Sequence, residues 1–194
     1  MAEVRYWLGV TFIAFSGGAV LYWFSIHPLR NLWRRAGART TVALHLIAMA
    51  AIAIVVFRNH DHVMIGDLGW SVALTILAIV LFASSAVLRY YHMRQMDNAT
   101  LMGLPELDPQ RYAPRLRVDG VYAYIRHPRY VQLLLAMSAY VLFVNYLTGY
   151  LALAAIVVLL MGVVALEERE LLDRFGDEYR DYKKRVPSFL PRWR

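Results

Sequence analysis

The chain has 194 residues, 59% of them hydrophobic and 18% charged, with a mean hydropathy of +0.42. That is too apolar and too poor in charge for a typical soluble domain. Cysteine is absent, which excludes disulfides and cysteine-ligated metals, and the net charge of +7 sits beside apolar runs, a pattern of membrane orientation rather than of nucleic-acid binding.

The first apolar run covers residues 6–26, and about 20 residues suffice for a helix to cross a bilayer. It is long for a signal peptide, its leading segment holds a single Arg, and no clear small-x-small cleavage site follows, so it reads as a retained helix. Ala14 and Gly18 are four apart and can let another helix approach closely. Residues 27–40 follow with four Arg and no acid. The second span is 41–57, with His45 about one turn inside it, where an interfacial hydrogen bond suits an imidazole. His60, Asp61 and His62 sit on a short polar loop and read as solvated rather than metal-binding. The third span is 68–88.

Residues 89–129 form the longest polar segment, broken by Pro105, Pro109 and Pro114. Long segments of this kind are usually functional or disordered. Residues 130–166 are apolar throughout and too long for one crossing. Asn145, Thr148 and Gly149 mark a turn near the middle, which splits the run into short antiparallel helices at 130–147 and 150–166. The predicted fold is therefore an all-α integral membrane protein. It has five transmembrane helices, the last two a tight hairpin, and a cytosolic helical cap at the C-terminus. We expect one domain over 1–194, with a three-helix membrane part at 1–90 and a binding part at 91–194. Segments 27–40, 89–129 and 167–194 hold 19 of the 21 Lys and Arg. This places them in the cytosol and the N-terminus outside, in the inner membrane if the source is prokaryotic.

Two polar stretches carry the chemistry. Gly-Val-Tyr-Ala-Tyr-Ile-Arg-His-Pro-Arg-Tyr, residues 120–130, packs one His, two Arg and three Tyr beside an apolar run. Pro128 suits the first turn of a helix, which puts Arg126 and His127 at a helix start, where backbone N–H groups favour an anion or electron-rich ligand. An Arg-rich flank can also serve only as a membrane anchor. The second stretch begins at Glu167-Glu168, acids where a helix leaves an anionic membrane surface. Leu166, Leu171, Leu172 and Phe175 keep helical spacing beyond it, Gly176 suits a C-cap and Asp177 an N-cap, Tyr179 and Tyr182 share a face, and Pro187 ends the last helix. A charged tail also serves as a headgroup anchor. If the last two spans are antiparallel neighbours, Arg126, His127 and Tyr130 lie near Glu167 and Glu168, with Tyr179, Tyr182 and Arg185 folded over them. Such a pocket fits a polar, charged cofactor meeting a lipophilic substrate.

Arg-His-Pro-x-Tyr at a helix start, an apolar helix pair, Glu-Glu, then Phe-Gly-x-x-Tyr-x-x-Tyr and Val-Pro resemble the isoprenylcysteine carboxyl methyltransferase family. That family is part of a wider group of membrane methyltransferases that includes phospholipid N-methyltransferases. The resemblance covers residues 117–191; residues 1–90 share hydrophobic spans alone. It implies S-adenosylmethionine as methyl donor, with Tyr122, His127, Pro128 and Tyr130 forming the cofactor pocket. Glu167 or Glu168 would hold the cofactor's polar end, Tyr179 and Tyr182 would close the site, and Arg126 and Arg185 would act on the substrate, with Glu167 counted among the catalytic groups. Arg129 and Gln132 replace smaller residues of the family, and the proline-rich stretch 102–115 departs from its eukaryotic members, so the acceptor stays open. It is a lipophilic or lipid-linked carboxylate, phospholipid, amine or thiol, met among membrane lipids. A carboxylate or thiolate needs no general base once ionised, whereas an amine does. Membrane sterol reductases, which use NADPH, share a similar C-terminal pattern and form the competing enzyme reading; a non-catalytic scaffold or transporter is a third.

Overall fold

The computed structural model describes residues 1–26, 28–95 and 115–191; the prolines 105, 109 and 114 of the long polar segment lie outside these. Among the described residues the chain is helical, with one isolated antiparallel bridge between Asp67 and Tyr146 and no β-strand. The elements are α1 (Ala2–Ile26), α2 (Arg30–Ala36), α3 (Ala38–Arg58), α4 (His60–Val63), α5 (Val72–Met93), a 3-10 turn η1 (Gly120–Ala123), α6 (Pro128–Val144), α7 (Leu147–Phe175) and α8 (Asp177–Arg185).

Each of the five apolar runs falls on a helix, with shifted ends. The third begins at Val72, later than its hydrophobicity suggests, because the Ser71 hydroxyl accepts from the Leu74 N–H and caps the start. It runs to Met93, past Arg89, because Ala78, Ser85 and His92 recur every seven residues and bury one continuous stripe. At α8 the expected cap moves by one residue. Gly176, at φ 54°, makes the reversal and occupies the N-cap position, while Asp177 is the first helical residue and its carboxylate binds Arg180 instead.

Among the described residues three helices, α3, α5 and α7, are long and apolar enough to cross a membrane, and α6 is a shorter apolar helix. The outer faces of α3 and α5 carry exposed Leu46, Ile47, Val55, Ile79, Phe82 and Val87. Apolar surface on this scale is stable against lipid and unstable against water, so this is a membrane protein. The α5–α6 pair makes the most extensive contact between elements, and α1 packs on α3 and α7. At Gly18 a Cβ would lie 2.6 Å from Met49 Cγ, so the small residue admits α3 closely, as the Ala14–Gly18 spacing predicts. His45 bonds the Ser25 hydroxyl at 2.7 Å and the Thr41 carbonyl at 2.7 Å, tying α1 to α3.

The end of the molecule that holds the α6–α7 turn is organised by Arg5. Asn145 takes the left-handed conformation at φ 52° and, with Tyr146, links α6 to α7. Arg5 donates to Val144 O at 2.9 Å and to Asp67 Oδ1, and is 2% exposed. Asn145 Nδ2 donates to Gly69 O at 2.7 Å, and the Leu147 N–H donates to Gly66 O at 2.8 Å. Arg5, which in sequence reads as one of two basic residues on the outer side, is thus buried and bound to the protein rather than displayed to headgroups. Tyr6 ties the adjacent His60 and Asp61 at 2.6 and 3.0 Å. Hydrogen bonds to a charged group are worth about 1.5–3 kcal/mol. Arg5→Ala should therefore lower the thermal unfolding midpoint in detergent by several degrees, while Arg58→Ala, at the exposed end of α3, leaves it within about one degree. Equal midpoints for the two variants would show that the Arg5 contacts contribute nothing.

Candidate active site

At the opposite end the connection into α6 is shaped by η1. Gly120, at φ 55°, lies so close to Gln95 that a Cβ would overlap its amide, and the Val121 N–H donates to Gln95 Oε1 at 3.3 Å. The tail of α5 thereby fixes η1, which buries Tyr122. Burial, aided by the Glu167 charge, pushes the Tyr122 phenol far above its ordinary value, so it stays neutral. Tyr182 donates to Tyr122 O at 2.6 Å, and burial pushes its own phenol up to about 12.

Residues 126 and 127 then pair with the C-terminal segment. The Arg126 N–H donates to Pro187 O at 2.9 Å and the His127 N–H to Ser188 O at 3.0 Å. Pro128 follows at the first position of α6, where its lack of an N–H breaks no bond. The Arg126 side chain, 7% exposed, is committed on every side: to Glu168 Oε1 at 2.5 Å from Nη2 and 3.1 Å from Nε, to Lys183 O at 3.1 Å, to Val186 O, and to Ser188 Oγ at 2.6 Å.

Three basic side chains converge on Glu168: Arg126, His127 through Nε2 at 3.2 Å, and Lys183 through Nζ. Glu167, one residue earlier on α7, is different. It accepts from the Tyr130 hydroxyl at 2.7 Å through Oε2, has His127 Nδ1 at 3.9 Å, and is 32% exposed. Its Oε1 has no hydrogen-bond partner among the described residues. Glu168 is thus saturated, while Glu167 keeps one oxygen available.

Tyr179 and Tyr182 on α8 sit 6.0 Å apart between ring centroids and pack with Val186 against Leu171, Leu172 and Phe175. Tyr179 is 1% exposed, and its hydroxyl finds no hydrogen-bond partner among the described residues. Burial raises its phenol well above the usual range, the Glu168 and Glu167 charges add to the rise, and Arg126, which also bears on the hydroxyl as a long, weak donor, opposes it. A buried hydroxyl without a partner costs about 1–3 kcal/mol, an expense borne for a ligand more readily than for packing.

The structure thus brings together Tyr122, Arg126, His127, Pro128, Tyr130, Glu167, Glu168, Tyr179 and Tyr182, drawn from η1, α6, α7 and α8. Arg185 lies at the edge of this group. It shares with Tyr182 a groove of about 890 Å³ lined also by Val118, Tyr124, Ile125 and Val186, and its Nε donates to Asp181 O at 3.2 Å. Sequence reasoning missed Lys183 as a Glu168 partner, since it reads as one of a basic run. It also missed Ser188 and the carbonyls of 183 and 186, which carry no signal in residue type. Among the described residues no cluster of His, Cys, Asp or Glu could hold a metal ion.

A helical membrane protein with a carboxylate–cation–tyrosine cluster at one end of its helices is the class that these observations define. The chain belongs to the phospholipid methyltransferase family, whose pattern it matches over residues 73–178. It is similar to methanethiol S-methyltransferase 1 of Bradyrhizobium diazoefficiens, 34% identical over 119 residues, which covers 60% of this chain and 39% of that protein. It is also similar to methanethiol S-methyltransferase 2 of that organism, 29% identical over 133 residues, 64% of this chain and 43% of that one. Protein-S-isoprenylcysteine O-methyltransferase of Schizosaccharomyces pombe is 36% identical over 77 residues, 39% of this chain and 33% of its own length. These matches span less than half the length of each relative. The methyltransferase names agree with the resemblance carried by residues 117–191. No solved structure matches the chain.

If Glu168 holds the C-terminal segment down, Glu168→Ala should speed trypsin cleavage at Lys183–Arg185 by about tenfold or more, the equivalent of one lost charged hydrogen bond. Glu167→Ala should leave that rate unchanged. Equal rates in both variants would remove the lock from Glu168.

Proposed function

We propose that this protein is an integral membrane methyltransferase that uses S-adenosylmethionine and methylates a lipophilic acceptor where the membrane meets the cytosol. The observation that carries the reading is the buried Tyr179 hydroxyl, which has no partner within hydrogen-bond distance, near Glu167, whose Oε2 accepts from Tyr130 and whose side chain is part-exposed. A buried donor and a half-open carboxylate fit a cofactor with an amino-acid end, hydroxyls and a positive sulfur. The cofactor supplies a methyl group on a sulfonium. The protein's part is to bind, align and exclude water, and orientation alone is worth roughly 7–11 kcal/mol in favourable cases.

The residues divide the work by their contacts. Tyr122, His127, Pro128, Tyr130, Tyr179 and Tyr182 form the walls, and Glu167 takes the cofactor's polar end. Glu168 organises rather than touches, because its oxygens are occupied by Arg126, His127 and Lys183. Arg126, expected from sequence to meet the acceptor, is engaged by Glu168, two carbonyls and Ser188; we assign it the positioning of residues 183–188 over the site. Arg185 is a basic group open to a carboxylate acceptor. Its Nη atoms make no hydrogen bond among the described residues, it faces a groove, and its planar fork fits a carboxylate.

The acceptor is lipophilic on this reading because the site closes one end of membrane helices. A prenylcysteine-like carboxylate is one form. A thiol is the second, favoured by how much of this chain the methanethiol enzymes match, 60% and 64% against 39% for the prenylcysteine enzyme. The five helices α1, α3, α5, α6 and α7 cross the membrane in this reading, with α6–α7 as a hairpin, the N-terminus outside and the basic segments in the cytosol.

Three outcomes test this reading. Tyr179→Phe should weaken S-adenosylhomocysteine binding about tenfold by calorimetry while leaving the unfolding midpoint unchanged or higher, since it removes an unsatisfied hydroxyl; undiminished binding would exclude Tyr179 from the pocket. Arg185→Lys should lose most turnover and keep cofactor affinity, whereas a headgroup anchor would keep full activity. Reporter fusions after residues 62 and 194 should report opposite sides of the membrane, and the same side for both would overturn the orientation.

A further inference from the structure

The buried stripe of α5 contains one residue that the reading above does not use. Ala78 lets α5 pack closely, and Ser85 donates to Gln132 O at 2.9 Å while accepting from Gln132 Nε2 at 3.1 Å. His92, the next residue on that stripe, is 2% exposed, and neither ring nitrogen has a partner within full hydrogen-bond distance among the described residues. Packing does not account for it, because an apolar side chain of that size would fill the space without stranding two nitrogens.

Its surroundings are cationic. Arg89 on its own helix and Arg129 on α6 are the charged side chains in electrostatic reach, and the Gln132 amide approaches the ring as a long, weak hydrogen-bond partner. Arg129 and Gln132 are three apart and share the α6 face toward α5, while Tyr130, one step round the helix, reaches Glu167. Tyr122 lies in the field of both Glu167 and Arg129, which sets the His92 cluster beside the wall assigned to the cofactor.

We propose that His92, Arg129 and Gln132 form the subsite that binds the acceptor's sulfur as a thiolate. The inference rests on the methyltransferase reading and deepens it. An imidazole N–H, a guanidinium and an amide are donors gathered in a dry place, which favours a soft, weakly hydrated anion over a carboxylate. A thiol arriving there loses its proton to water, and the neighbouring cations hold the thiolate. The thiolate sulfur forms a bond to the methyl carbon as the bond from that carbon to the sulfonium sulfur breaks, and the donor leaves as a neutral sulfide. The thioether product is also neutral, so it loses the attraction that held the anion and departs.

The test uses the full chain in detergent, with methanethiol and N-acetyl-S-farnesyl-cysteine as alternative acceptors and S-adenosylhomocysteine for binding. His92→Phe keeps a ring and removes both nitrogens. It should lower kcat/KM for methanethiol about tenfold or more, with S-adenosylhomocysteine affinity unmoved and the unfolding midpoint unchanged or higher. His92→Gln, which restores an N–H, should recover much of that loss; His92→Leu, which also removes both nitrogens, serves in place of the Phe form if that fails to fold. Undiminished kcat/KM in the variants, or a parallel loss of cofactor affinity, overturns the subsite. So does a wild-type protein that binds S-adenosylhomocysteine yet methylates the farnesyl-cysteine and not methanethiol, an outcome that leaves the cofactor reading standing. A wild-type protein that binds no S-adenosylhomocysteine overturns both.

Discussion

Everything at the functional end depends on one carboxylate, Glu168. Arg126 and His127, just before α6, and Lys183 from α8 all converge on it, so two segments far apart in sequence meet on one anion of α7. A half-buried cluster of this kind is expensive to desolvate and strongly destabilising to break, because the surviving charges are left unpaired. Its contribution is specificity of arrangement as much as stability. It fixes Arg126, which in turn holds the carbonyls of residues 183 and 186 at the end of the helix that carries Tyr179 and Tyr182. With Glu168 saturated, the second oxygen of Glu167 and the hydroxyl of Tyr179 are the groups on which the proposed cofactor reading relies.

The other end of the helices is tied by a second cation. Arg5 joins α1 to the loop at Asp67 and to the last carbonyl of α6, and Asn145 and Tyr146 complete the fastening. Between the two polar ends the helices meet through apolar packing and small hydrogen-bonded pairs such as Ser85–Gln132. In lipid the hydrophobic effect between helices is weak, so polar ties of this kind fix the register of α1, α5, α6 and α7. That register determines the heights of Tyr130 and Glu167, whose hydrogen bond links the cluster to the membrane part.

Hydropathy made the helices legible, because a long apolar run in a chain this poor in charge has few other uses. The nearness of Arg126, His127 and Tyr130 to Glu167 and Glu168 was also legible, since two apolar runs joined by a short turn bring their far ends together. Residue type does not say which of two adjacent acids is saturated; that depends on the 100° between successive positions on α7. Arg5 reads as a flank charge because burial of an ion pair is a tertiary fact. His92 follows Arg-Tyr-Tyr and looks solvated, although the heptad through Ala78 and Ser85 carried the signal of its burial. The helix start expected at Asp177 moved because the backbone at Gly176 supplied the reversal that a side-chain cap would otherwise stabilise.

The most direct measurement of the account is a double-mutant cycle on Arg126→Gln and Glu168→Gln, read by calorimetric S-adenosylhomocysteine binding in folded protein. If the pair acts as one unit that shapes the cofactor pocket, each single variant loses about tenfold or more in affinity, and the double variant loses little beyond the worse single. Unchanged affinity in both single variants would contradict the account, because the convergence on Glu168 would then be unrelated to any cofactor site.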